Sequence, residues 1–229
     1  NDAPLFDGTF KNQRSLVGAH DGAGITFSLP NISTQTLGAY VFYADGVAPS
    51  AAATSAANNP VTTAEDVTIR GSIGTYRFNA TSQESAQDLA ARINAQSEST
   101  GVSTQATTEA LLASGSASDE SVRLLINGVA TGAFSFSSTN YTDAIGAINA
   151  ISSSSGVSAE GSDVGIRLVN LEGIDITIEN MNSSVNLSVR KIAANGLNYV
   201  GQAVALEASG DNDSTRISGT LMLSSSESF

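Results

Sequence analysis

The chain repeats itself once, and that duplication limits the folds open to it more than any other feature. One copy runs from Val67 to about Ser114, the other from Val122 to about Asn170. Each reads as a short alternating strand, a Gly-containing turn and a second strand. One amphipathic helix and a Ser-rich loop closed by Gly-Val then follow. The helix cores are Asp88-Leu89-Ala90-Ala91-Arg92-Ile93-Asn94 and Asp143-Ala144-Ile145-Gly146-Ala147-Ile148-Asn149, 55 positions apart. At the same offset Gly101-Val102 falls on Gly156-Val157 and Val67 falls on Val122. Two copies are too few for a solenoid, which needs at least about three. The pattern predicts an α+β fold: mostly antiparallel β-sheet, with one short helix packed on a sheet in each of two repeated modules.

The rest of the chain divides around the repeats. Residues 1–45 predict a β-hairpin region and the start of a further apolar run, Gly38 to Tyr43. Residues 46–64, with Gly46, Pro49 and Pro60 bracketing an Ala/Ser/Thr/Asn stretch, predict a linker and a domain boundary. Residues 65–118 and 119–194 are the two modules. Residues 195–229 predict return strands that pair with the N-terminal region or the first module, with a frayed tail from Ser224 to Ser228.

In the first module Thr81 or Ser82 is expected to cap the helix, with Glu84 in its first turn. Ala86, Leu89, Ala90 and Ile93 form its apolar stripe, which needs the preceding hairpin to cover it. In the second module Thr139 or Asn140 is the expected cap, the stripe is Tyr141, Ala144, Ile145 and Ile148, and Asn127-Gly128 is the expected turn.

Composition narrows the function. Apolar residues make up 41% of the chain, enough for packed cores, but charged residues only 14%. Serine and threonine, 54 in all, supply the polar surface instead. Net charge is −12 and the only lysines are Lys11 and Lys191, so nucleic acid and anionic membrane surfaces are unsuitable partners. Without cysteine there is no disulfide, thiolate metal site or thiol nucleophile. No stretch is apolar for the roughly 18 residues that a membrane span needs. Asn1-Asp2-Ala3-Pro4 lacks a signal peptide's basic start and apolar run. Export without a cleaved signal, or excision from a longer chain, is the corresponding expectation.

No residue pattern demands catalysis or a cofactor. His20, the one histidine, lies between turn residues, and no Gly-x-Ser-x-Gly elbow accompanies it. Asp211-Asn212-Asp213-Ser214 offers hard oxygen ligands but not the spacing of a calcium loop. Asp163 and Glu172 read as solvated loop residues. Gly71 and Gly74 do not open a helix and so make no phosphate cradle. Ser152 to Ser155 reads as a helix-ending loop. No catalytic, cofactor-binding or metal residue is therefore expected. O-linked glycans on exposed Ser and Thr are a candidate modification.

Leu5-Phe6-Asp7-Gly8-Thr9-Phe10, followed by Leu16-Val17-Gly18-Ala19-His20-Asp21-Gly22 and Ile25-Thr26-Phe27, resembles bacterial flagellin. Ser33-Thr34 to Leu37-Gly38 fits the family's continuation, while His20 stands where that family usually has Asn. The repeats resemble the flagellin hook IN motif, a helix ending in Ile-Asn with Gly-Val some residues on. Ile93-Asn94 with Gly101-Val102, and Ile148-Asn149 with Gly156-Val157, carry that likeness. It covers about half the chain, and the long heptad-patterned end helices of the family have no counterpart in it.

The resemblance implies the outward-facing middle region of a flagellin, without the polymerising terminal helices. That region would be extracellular, part of the bacterial flagellum, non-enzymatic and antigenic. Its partners would be other flagellin subunits in the intact filament, while the piece alone would be monomeric. The alternative is an adhesion or glycan-binding module, with Tyr40, Tyr43 or Tyr199 stacking on sugar rings. An enzyme grafted into a variable region would need a cleft with convergent polar groups. A hook-junction or capping protein fits the Leu5 to Phe10 stretch less well.

Overall fold

The computed structural model of the chain describes residues 10–16, 24–29, 39–181, 183–208 and 210–229. Most of the flagellin-like stretch, including Leu5 to Thr9, His20 and Asn31 to Gly38, lies outside them. Of the expected hairpin, β1 (Gln13–Leu16) and β2 (Gly24–Phe27) pair antiparallel, with Gln13 opposite Phe27. The architecture is the expected one: mostly antiparallel β with a few short helices.

After β3 (Tyr40–Ala44) the first module begins. The hairpin β4 (Asp66–Arg70) and β5 (Thr75–Asn79) turns on Gly71 to Gly74. Helices α1 (Ala86–Asn94) and α2 (Ser97–Thr100) lead into β6 (Ser103–Ser114). The second module holds β7 (Glu120–Val122), β8 (Leu124–Ile126), β9 (Val129–Ala130), β10 (Phe134–Phe136), α3 (Thr142–Ala150) and α4 (Ser152–Ser155). Then come β11 (Ser158–Ser162), β12 (Gly165–Asn170), β13 (Ile176–Asn180) and β14 (Leu187–Ile192), and finally β15 (Tyr199–Leu206), β16 (Ser214–Ile217) and β17 (Thr220–Ser225).

β6 organises both modules. It is a single strand of 12 residues. Its first half, Ser103 to Thr107, pairs with β17, and its second half lies between β12 and β14. The first half borders the smaller cores, built on Ile69, Phe78, Ile93, Val102 and Leu223 and on Ala86, Ala90 and Ala106. The second half helps to enclose the larger core. There the sheet β11-β12-β6-β14-β15 faces the sheet β16-β13-β8-β9 and α3, around Phe136, Ile148, Ile166 and Ile178. Helix α1 is therefore covered by β6 and Leu221 of β17 as well as by the hairpin before it.

The duplication holds at the level of single hydrogen bonds. Asn94 Nδ2 donates to the Thr104 carbonyl at 2.8 Å, and the Thr104 amide donates back to Asn94 Oδ1 at 2.7 Å. Fifty-five residues later Asn149 brackets Ala159 in the same way, at 2.9 and 2.8 Å. Gly101 and Gly156 close their short helices at φ 77° and 72°. The hydroxyls of Thr100 and Ser155 accept from the amides of Val102 and Val157. A planar side-chain amide has one donor face and one acceptor face, as a backbone peptide has. Each asparagine thus supplies one rung of a missing neighbouring strand.

Several local expectations are corrected. The N-cap of α1 is Ser85, in a reciprocal box with Asp88, not Thr81 or Ser82. Gln83, at φ 62°, turns the chain just before it, and Glu84 lies ahead of the helix, buried against Arg92 at 2.9 Å. α3 follows Tyr141, which makes no side-chain cap, while Asn140 Oδ1 just ahead of it accepts from the Thr142 amide at 3.4 Å. Ser85→Ala is expected to cost about 1 kcal/mol, read as a lower urea midpoint with an unchanged slope.

The 46–64 segment is tied down rather than free. Ser50 and Ala53 hydrogen-bond along β16, and Asn59 is buried. Ser224 and Ser225, expected to fray, pair with Val41 and Tyr40. β17 pairs with the first half of β6 and with β3, whereas β15 pairs with β14 and β16 with β13.

Candidate functional site

The acidic and hydroxyl residues singled out in the sequence are not gathered. Asp213 and Ser214 sit at the start of β16, with their backbones bonded to Asn180 and Ala53. Asp163 occupies the β11–β12 turn, whereas Glu172 follows β12 and accepts from Gln87 at 2.9 Å. Gly71 meets a packing need: a Cβ there would lie 1.8 Å from the Thr100 carbonyl oxygen. Ser152 to Ser155 form α4. Among the described residues no three His, Cys, Asp or Glu side chains meet where they could hold a metal ion, and no helix is long and apolar enough to cross a membrane.

Tyr40, Tyr43 and Tyr199 are open to solvent. Tyr40 and Tyr43 are exposed on β3, beside exposed Val41 and Phe42, so both faces of that strand are open. Among the described residues β3 pairs with β17 alone, Tyr40 opposite Ser225 and Ala44 opposite Leu221. Tyr199 is 45% exposed at the start of β15, with the Arg190 guanidinium 5.2 Å from its ring centre.

The most perturbed group is one the sequence reading passed over. Lys191 of β14 is wholly buried. Its ammonium donates to the carbonyls of Val47 at 3.0 Å and Gly219 at 3.2 Å, and to Ser218 Oγ at 3.3 Å. These partners are neutral, so desolvation dominates and lowers its pKa to about 8, against the opposing pull of Asp45 and Asp175.

Both carboxylates have other tasks nearby. Asp45 accepts from the Ala194 amide at 2.8 Å. Asp175 accepts from Asn59 at 2.8 Å and Arg216 at 3.0 Å through one oxygen, while its Oδ1 is buried without a partner. A signal for Lys191 was available: it continues the period-two phase of Leu187 and Val189, both buried. The cluster ties β3's exit, the 46–64 segment and the β16–β17 corner to β14. A buried cation on neutral acceptors offers no open cleft, and we read it as a fastening of the fold.

Compared with known proteins, the chain matches no family model and no curated sequence.

Proposed function

We propose that this chain is the outer, surface-exposed region of a flagellin-like filament subunit, a non-enzymatic structural element of the bacterial flagellum displayed to the extracellular medium. The observation that carries the reading is the pairing of β3 with β17. The body from Tyr40 to Ser225 leaves and re-enters at one place, on two adjacent antiparallel strands, as an outward excursion from a separate core must. The flagellin-like residues Leu5 to Phe27 lie just ahead of that point. An acidic, hydroxyl-rich surface keeps neighbouring copies apart and soluble.

The test is the coding sequence on either side. Heptad-patterned helices on both flanks support the reading, and a catalytic domain or a lipoprotein signal there overturns it. In sedimentation at micromolar concentration the isolated chain is expected to be a monomer. Filaments formed by it alone would contradict the assignment of assembly to other segments.

The exposure of Tyr40, Tyr43 and Tyr199 favours one second reading, an adhesion or glycan-binding module, since buried rings would leave no stacking platform.

A further inference from the structure

The second reading acquires a location when the open face of the five-stranded sheet is followed to its end. There two hairpin tips stand over the sheet: the β11–β12 turn, with Asp163 and Val164, and the β14–β15 loop, with Leu197 and Asn198. Between them lies a groove of about 310 Å³, floored by Leu111 and Ile192 and walled by Tyr199, at the small end of the range for ligand sites. Leu197 is 86% and Val164 59% exposed, so the rim is apolar and unpartnered.

Two polar side chains face this groove uncommitted. Neither the Asp163 carboxylate nor the Asn198 amide has a partner among the described residues. Ser162, by contrast, is bonded to the Gly165 carbonyl.

The charges argue for the kind of ligand. Arg167 is held by Glu109 at 3.0 Å and by Glu160 at 2.9 Å, and its pKa is raised, chiefly by the Glu109 hydrogen bond. Arg190 lies over the Tyr199 ring. Arg167 is thus neutralised by two carboxylates, and the chain as a whole carries −12, which disfavours an anionic ligand. An apolar floor, an aromatic wall, one acceptor and one amide suit a ring with an apolar face and a hydroxylated edge.

We propose that the Tyr199 groove binds a neutral sugar residue, stacked on the Tyr199 ring with its hydroxyls on Asp163 and Asn198. This rests on the adhesion reading, and it is independent of the filament reading.

The test is two-dimensional amide NMR of the whole chain, titrated with methyl glycosides of galactose, mannose and N-acetylglucosamine. The expected result is saturable shifts at residues 162–164 and 197–199 for at least one of them, with a Kd in the millimolar range. Tyr199→Ala is expected to raise that Kd at least about ten-fold, while Tyr199→Phe, which keeps the ring, retains it. Unchanged thermal midpoints in both variants would show that the fold is intact.

Shifts centred on Tyr40 to Tyr43 would overturn the groove and leave the adhesion reading standing. Tighter binding of a sialylated lactose than of any neutral glycoside would overturn the neutral-sugar assignment. No saturable shift with any glycoside would overturn both the groove and the adhesion reading.

Discussion

Replacing Asn149 by alanine is expected to cost about 2 kcal/mol of unfolding free energy, and replacing Asn94 about the same. Each substitution removes two hydrogen bonds and strands the amide and carbonyl of a buried residue, Ala159 or Thr104. The two sites lie in separate cores, so the double variant should lose about 4 kcal/mol, the sum of the single losses. That is a large share of the 5–15 kcal/mol typical of a folded domain. Asparagine to aspartate should be no rescue, because a carboxylate lacks the donor that meets the strand carbonyl. Urea denaturation of the four proteins checks this. A loss below about 0.5 kcal/mol in both single variants would show that water replaces the bracket at no cost.

The second large effect is a rise in stability at alkaline pH. The Lys191 ammonium has a pKa of about 8 in the fold and 10.5 as its ordinary value. Below pH 8 both states carry the proton and the contribution is flat. Between about 8 and 10.5 the unfolded chain binds more protons than the folded one, so stability rises with pH. The full rise approaches about 3 kcal/mol. Tyrosines titrate in the same window, so the readout is the difference between the native protein and Lys191→Met, followed by denaturation from pH 7 to 10.5. The difference should move by that amount toward the native protein. A pH-independent difference would show that the buried ammonium holds its ordinary affinity for the proton.

Much of this fold is written in short-range pattern. The 55-residue offset locates α1, α3 and both closing glycines, because a repeat is set by residues that each copy must use in the same way. Asn127-Gly128 marks the β8–β9 turn because few other pairs tolerate two left-handed residues, φ 48° and 77° here.

What escaped was long-range. Ser103 to Thr107 is rich in threonine and polar residues. Its membership in β6 is decided by β17, more than 100 residues away. The 46–64 segment has no periodicity of its own and takes its order from β16. Ser224 and Ser225 look like a loose end until β3 is seen beside them. The Tyr199 groove exists only where two hairpin tips, some 35 positions apart in the chain, reach the same end of one sheet.

Between Ser103 and Ser114 β6 contains neither glycine nor proline, and at about 3.3 Å per residue it extends about 40 Å. No joint interrupts it where the smaller cores give way to the larger one. A push on the far module is therefore delivered to the paired ends of β3 and β17 as bending moment rather than absorbed by a swivel. The two modules are thereby coupled mechanically along a single strand.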